Sequence, residues 1–256
     1  MSPVSDFYDN LAADYDLMTG FERRFDRERP FFQTFVERHG IRTAIDAGCG
    51  TGFHSVLLAQ LGVAMTGVDI SAQMITRLAV HAKNLGLKID TIQDEFRAIP
   101  QHMQSRVDAV FCLGNTLAHV KSLEELKETF RSFASVLNEH GILFLQNLNF
   151  DRILQNKEKV QNVRESGPKT FVRFYEYEGN NVMFNIRTID RNKSGVKEHQ
   201  QRVRLFPLLR RDVVHALTEA GFTDIHEYGD IAMSDYVPET SKDLVILADC
   251  GSQETA

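Results

Sequence analysis

Gly48, Gly50 and Gly52 are spaced by single residues in the stretch AIDAGCGTGFHSVLLAQLG, residues 44 to 62, and Asp46 stands two residues ahead of the first. A short apolar run precedes these glycines and a helical pattern follows, so the segment reads as strand, tight turn and helix start. Glycines in such a turn let the backbone approach a ligand with no side chain between. A loop for a nucleoside triphosphate ends in Gly-Lys-Ser/Thr so that a lysine meets phosphate. Here Gly52 is followed by Phe53 and His54. A dinucleotide fingerprint needs Gly-x-Gly-x-x-Gly, and the third position falls on Phe53 or Ser55.

Asp46 is a poor neighbour for a pyrophosphate. It suits a ligand carrying a cationic sulfonium and an α-ammonium, as S-adenosylmethionine does. A second acid, Asp69, closes the next apolar run and could accept from both hydroxyls of a ribose; an acid there also occurs in dinucleotide binders, so alone it does not discriminate. Met74, one helical turn on, is placed to cover an adenine face, with core packing as its other reading. Asp94, followed by Glu95 and Phe96, could meet an adenine amino group or belong to a solvated loop. Cys49 and Ile70, beside the glycines and Asp69, complete the cofactor-side set.

These groups need a scaffold. Residues 6 to 40 predict one or two helices, and "TAIDAG" a buried strand. "FHSVLLAQLG" predicts a helix ended by Gly62. "VAMTGVDIS" is a strand and "SAQMITRLAVHAKNLG" a helix with Ser71 as N-cap and Gly86 at its end. "LKIDTIQDEF" and "VDAVFCLGN" follow as strands, "SLEELKETFRSFASVLNEHG" as an amphipathic helix and "ILFLQNLNF" as a strand. Such alternation predicts an α/β protein whose parallel sheet is covered on both faces. From about Phe171 to Phe206 the period becomes two, in "FVRFYEYE", "NVMFNIRTID" and "EHQQRVRLF", with turn chemistry at Gly179-Asn180 and in "RNKSG". Three antiparallel strands inside an alternating chain read as an insert, residues 151–206, between 1–150 and 207–256. The alternation resumes with "LRRDVVHALTEAGF", "TDIHEYGDI" and "DLVILADC".

The 256 residues carry a formal net charge of −6, which gives no general attraction to nucleic acid or to anionic membrane. The three cysteines, Cys49, Cys112 and Cys250, lack metal-ligand spacing and read as buried apolar groups. "MSPVSDFYDN" has no basic-then-apolar signal pattern, and no apolar run spans a bilayer, so the expected location is cytoplasmic.

"IDAGCGTG", "VDISAQM" and "VFCLGN", in this order and at these intervals, resemble the cofactor motifs of the class I S-adenosylmethionine-dependent methyltransferases. The resemblance implies a Rossmann-like seven-stranded sheet whose last strand runs antiparallel, with the cofactor across the carboxyl ends of the strands. "DAVFCLGNTLAHV" and "GILFLQNLNFDRIL" resemble the glycine and glycine/sarcosine N-methyltransferase branch more closely. That likeness places Leu113 near the cofactor, Asn115 near the methyl acceptor, and His119 beside it as a helix-start residue. Where the branch carries a carboxylate-clamping arginine, this chain has Leu148, which cannot pair with an acid. Replacement cations would come from Arg164, Arg173, Arg187, Arg202 or Arg204 of the insert. "FYDNLAADYD" resembles the segment many small-molecule methyltransferases lay over the cofactor, with Tyr15 first and Tyr8 second as lid residues. Phe171, Arg173, Tyr175 and Tyr177 share one strand face, from which Arg173 and Tyr175 are the candidate acceptor contacts. An aromatic face there favours a larger amine or a heteroaromatic acceptor over glycine.

Methyl transfer from a sulfonium asks mainly for alignment and exclusion of water. A neutral amine needs no base, whereas a hydroxyl wants a base or a metal. No metal cluster or His-Asp pair stands out, so the reading is transfer to nitrogen of a small molecule, with Asn115 and Tyr15 as the catalytic pair. An O-methyltransferase, a nucleic-acid or protein methyltransferase, and a non-catalytic S-adenosylmethionine binder stay open, as does a homo-oligomer.

Overall fold

Ser2 starts the first helix by accepting the Ser5 N–H on its hydroxyl at 3.1 Å, and Pro3 follows in the first turn, where its missing donor is not needed. The structure, a computed structural model, describes residues 2–179, 181–192 and 195–251. Asn180, of the expected Gly179-Asn180 turn, and Lys193 and Ser194, of the turn across 191 to 195, lie outside the described residues. The N-terminal region holds two helices, α1 (Pro3–Thr19) and α2 (Phe21–His39), hinged at Gly20 with φ 74°.

Alternation then runs through β1 (Thr43–Ala47), α3 (Phe53–Gln60), β2 (Ala64–Val68), α4 (Ala72–Asn84), β3 (Ile89–Ile92), α5 (Ile99–His102), β4 (Val107–Cys112), α6 (Leu123–Val136) and β5 (Leu137–Leu148). α3 ends at Gln60 with Leu61 as its cap, and Gly62 turns the chain just beyond. Ser71 caps α4 as expected, its hydroxyl accepting the Met74 N–H at 3.1 Å. After the insert come α8 (Arg210–Glu219), β10 (Phe222–Tyr228) and β11 (Asp243–Cys250). The seven strands lie in the order β10-β11-β5-β4-β1-β2-β3. β11 is antiparallel to both neighbours, with Val245 opposite Gln146, while β4, β1, β2 and β3 pair in parallel. The seven-stranded sheet with its reversed last strand is thus present as the resemblance implied.

Successive side chains of a strand point to opposite faces, and β4 shows how the two cores arise. Ala109 and Phe111 join Phe32 and Phe35 of α2, Leu57 and Leu58 of α3 and Phe144 on one face. Val110 and Cys112 join Phe130 and Phe133 of α6, Leu143 and Leu145 on the other. Cys49, Cys112 and Cys250 are buried free thiols.

The insert differs from its expectation. "NFDRIL" is not the end of a strand but a helix, α7 (Phe150–Asn156), capped by the Asn149 side chain, which accepts the Arg152 N–H at 3.2 Å. Four strands follow rather than three: β6 (Val160–Ser166), β7 (Lys169–Glu178), β8 (Asn181–Asn192) and β9 (Gly195–Leu205), in sequential antiparallel order. β6 escaped the pattern because its alternation is inverted. Val160 and Val163 face solvent at 60% and 57% exposure, whereas Gln161 and Arg164 turn inward. No helix among the described residues is long and apolar enough to cross a membrane.

Candidate active site

Two of the three loop glycines are required by the protein's own packing. A Cβ on Gly48 would lie 2.1 Å from Thr116 Cγ2, and one on Gly52 2.2 Å from Leu78 Cδ1, a fully buried side chain. Gly50 is different. Its Cβ would stand an ordinary 3.5 Å from the Tyr15 ring, and the space above it opens into a cavity.

That cavity, of about 350 Å³, lies at the carboxyl ends of β1, β2 and β3. Gly48, Gly50, Asp69 and Ile70 line it on one side, and Asp94, Glu95 and Phe96 on another. Asp69 is buried, and each oxygen takes one backbone donor, the Gly50 N–H at 2.8 Å and the Ser71 N–H at 2.9 Å. A carboxylate has about four acceptor positions, so two donors leave room for more. Burial pushes its pKa up to about 6, against the lowering effect of the Ser71 and Gly50 hydrogen bonds. A buried, under-satisfied carboxylate in a cavity of this size fits a nucleoside diol, and the walls fit S-adenosylmethionine on that ground.

The other predicted cofactor residues are placed differently. Asp46 stands behind the loop, 1% exposed, where Oδ2 accepts from Ser55 Oγ at 2.6 Å. Burial raises its pKa, partly offset by His54 and Ser55. It acts on the cavity through its charge, which helps to raise Asp69, and not as part of the wall. Cys49, Met74 and Leu113 are likewise buried beneath the walls and not in them; Leu113 packs in the core with Phe111 and Phe144. Asp94 does reach the cavity, but His102 Nε2 already holds Oδ2 at 2.8 Å and the Glu95 N–H holds Oδ1.

α1 roofs the cavity with Ser2, Pro3, Val4, Tyr8 and Tyr15. It is pinned to α4, where Asp9 accepts from Ser71 Oγ at 2.5 Å and from the Gln73 N–H at 3.1 Å, and Asp16 pairs with His81 at 2.9 Å. It is pinned to the insert by Lys169, which donates to both Asp14 oxygens at 2.6 and 2.8 Å.

Tyr8, Tyr15 and His119 also line a second, smaller chamber of about 70 Å³. Gly114, Asn115 and Leu148 supply its floor from the ends of β4 and β5; Gln161, Arg173, Tyr175 and Phe184 come from the insert. Asn115 is held in the left-handed region, φ 65°, with Oδ1 accepting the Leu148 N–H at 3.0 Å. Such strain in a non-glycine residue persists where the surroundings enforce it, typically at sites. The Tyr8 hydroxyl and His119 Nε2 are 2.7 Å apart. Burial lowers the His119 pKa to about 4, so its ring is neutral at pH 7.

The shared face of β7 divides three ways. Arg173 and Tyr175 reach the chamber, but Phe171 is buried against Phe7, Leu11 and Met18 of α1, and the Tyr177 hydroxyl donates to the Glu158 carbonyl at 2.5 Å. Of the expected aromatic face only Tyr175 reaches this chamber; its other rings come from Tyr8, Tyr15 and Phe184. Of the other insert arginines, Arg164 donates to Thr19 O, Arg187 to Gln200, Arg202 to Glu178 and Arg204 to Lys121 O.

A family model described as a methyltransferase domain matches residues 44–141. Over 231 residues the chain is 30% identical to a glycine/sarcosine N-methyltransferase of Aphanothece halophytica, an alignment covering 88% of this chain and 83% of that one. A second glycine/sarcosine N-methyltransferase, from Parasynechococcus marenigrum, is 27% identical over 230 residues, covering 88% and 78%. The chain belongs to the class I S-adenosylmethionine-dependent methyltransferases. Its methyl donor is S-adenosylmethionine. The fold is also that of an S-adenosylmethionine-dependent methyltransferase from Clostridium acetobutylicum, at TM-score 0.81 and 14% identity over 96% of this chain and 99% of that one.

Three features of this methyltransferase's site were not read from the sequence. Thr116 packs on Gly48, and its hydroxyl donates to Leu113 O at 2.8 Å; only its position after "LGN" hinted at a tight turn. Gln161 lies on the unrecognised β6. Asp9 is a second acceptor at the start of α4, visible only once α1 is docked there.

Proposed function

We propose that this methyltransferase acts on the nitrogen of a small amine. The observation that carries the reading is the junction of the two cavities at Tyr8, Tyr15 and His119. The larger suits the donor, and the smaller is closed in by the insert and too narrow for a polymer segment. In this reading Asp69 holds the ribose, the Gly48–Gly50 backbone and Tyr15 hold the amino-acid portion, and Asp94 to Phe96 flank the adenine. When bound, S-adenosylmethionine supplies an electrophilic methyl group on a sulfonium that leaves readily.

The chain's own residues then align and exclude water, which can supply several kcal/mol of a barrier, about 7–11 in well-oriented systems. Asn115 keeps its carboxamide NH2 group free to orient the acceptor, since its oxygen is engaged by Leu148. His119 stays neutral and is hydrogen-bonded to the Tyr8 hydroxyl, giving a polar wall that does not repel an incoming cationic methyl. A neutral amine needs no proton removed before transfer, which agrees with a site whose one histidine is a weak base. The relatives named for glycine and sarcosine N-methylation support nitrogen as the acceptor atom. Residues 151–206 serve as cover over the acceptor side, and 1–150 with 207–256 as the donor-binding part.

Methyl transfer from labelled S-adenosylmethionine into a metabolite extract, a protein extract and RNA tests the reading. Label is expected in low-mass amines alone. Label in protein or RNA at comparable yield, or on a hydroxyl oxygen, overturns it.

A further inference from the structure

The small chamber contains an unusual concentration of unmet polar capacity. Gln161 Oε1, Arg173 Nε and the Tyr175 hydroxyl are all buried without a hydrogen-bond partner, and all three residues line this one space. Buried polar atoms in folded proteins are overwhelmingly satisfied, so three orphans facing one cavity ask for a missing partner. The charge balance points the same way. None of the lining residues is an aspartate or glutamate, and Arg164, of like sign, acts on Arg173. A guanidinium remains protonated in proteins, so the chamber holds a cation with no counter-charge.

Tyr175 is 2% exposed, and burial pushes its phenol well above the ordinary value, so it keeps its proton and is a donor. Leu11, Leu148, Ile186 and Leu205 add apolar surface to the lining, and Tyr8, Tyr15 and Phe184 add rings. The chamber therefore holds one fixed cation in a lining that carries no other full charge.

Resting on the methyl-transfer reading, we propose that the acceptor is a compact amine bearing a single carboxylate, and that the carboxylate is held by Arg173 and Tyr175 of the insert. The planar fork of Arg173 matches the two oxygens of a carboxylate. Gln161 Oε1, an acceptor, takes an N–H of the ligand. One cation balances one negative charge, so a phosphate dianion would bury an unpaired charge against Leu148.

The test uses the full chain saturated with S-adenosylhomocysteine, titrated with acetate, acetamide and inorganic phosphate by saturation-transfer NMR. Acetate is expected to bind at least about 10-fold more tightly than the other two. Arg173→Met should weaken acetate by at least about 30-fold, and Tyr175→Phe by about 5-fold. Neither should change the S-adenosylhomocysteine affinity. In turnover, glycine and β-alanine should exceed their carboxamides as acceptors, and Arg173→Met should abolish the preference through KM. Acetamide binding as well as acetate, phosphate binding better than acetate, or acetate binding indifferent to both substitutions overturns the proposal. If Arg173→Met fails to fold, Arg173→Lys with Tyr175→Phe decides by the same titration, with unchanged acetate affinity in both as the negative result. Failure of the unaltered chain to bind S-adenosylhomocysteine would count against the methyl-transfer reading instead.

Discussion

Leu148 and Arg173 line one chamber from two different sheets, the leucine at the carboxyl end of β5 and the arginine within β7. Moving the cation between them is informative. Leu148→Arg alone puts a second unpaired guanidinium into a closed space and should destabilise the fold by about 3–5 kcal/mol. Combined with Arg173→Met it restores one charge to the chamber, so much of that loss should be recovered and acetate binding should return. Thermal denaturation of the three variants with and without acetate checks this. A double variant no more stable than Leu148→Arg would show that the two positions do not share a space.

The glycine loop should respond unevenly to alanine. At Gly48 and Gly52 the new methyl meets Thr116 or Leu78 at little more than 2 Å. Overpacking of that kind costs about 1–3 kcal/mol, and a left-handed φ adds ~1. Gly50→Ala meets only the Tyr15 ring edge at 3.5 Å, so its stability loss should be near the ~1 kcal/mol of the backbone alone. Its effect should appear in S-adenosylhomocysteine binding, which the methyl crowds directly. Denaturant midpoints measured beside calorimetric affinities separate the two patterns. Equal stability losses at all three positions would contradict them.

Asp69 predicts a pH dependence of a definite sign. Its folded pKa of about 6 lies above the ordinary aspartate value of 3.8. Between those values the folded chain holds a proton that the unfolded chain does not, so the unliganded protein loses stability as pH rises through this window. Ribose hydroxyls donate to the ionised form, so ligand binding releases that proton. Affinity for S-adenosylhomocysteine should rise toward pH 6 and level off above it, falling at most about tenfold per pH unit below. Asp69→Asn should flatten the profile and weaken binding by about 1.5–3 kcal/mol. Titration calorimetry in two buffers of different ionisation heat measures the proton directly. Proton uptake on binding near pH 5 would reverse the sign and refute the assignment.

The alternating elements were readable because strand and helix periods alternate cleanly, and Ser71, Gly62 and Gly86 mark helix ends. Asp69, Ile70 and Asp94 to Phe96 lie where a strand's carboxyl end puts them, on the cavity wall. Asp46 and Met74 are buried beneath the wall, and chain position does not reveal whether a side chain points at a ligand or back into the core. β6 was missed because Val160 and Val163 face water while Gln161 and Arg164 turn inward, the reverse of what burial usually selects.

The last prediction concerns how ligands enter. α1 roofs the larger cavity and is tied to two separate parts of the fold, to α4 through Asp9 and Asp16 and to β7 through Asp14. Covers of this kind commonly set release rates. The Asp14–Lys169 pair is partly exposed, its side chains 25% and 24% accessible, so it should contribute no more than ~1 kcal/mol. Asp9 is held by a hydroxyl and a backbone donor and should contribute about 1–3 kcal/mol. Asp9→Ala should therefore speed S-adenosylhomocysteine dissociation by roughly 5- to 100-fold, and Asp14→Asn by at most about 5-fold. Association should change little, because affinity differences within one site fall mostly on the off-rate. Rapid-filtration release of radiolabelled S-adenosylhomocysteine measures both. If neither substitution changes the off-rate while the fold stays intact, α1 is a fixed wall and the route of entry lies elsewhere.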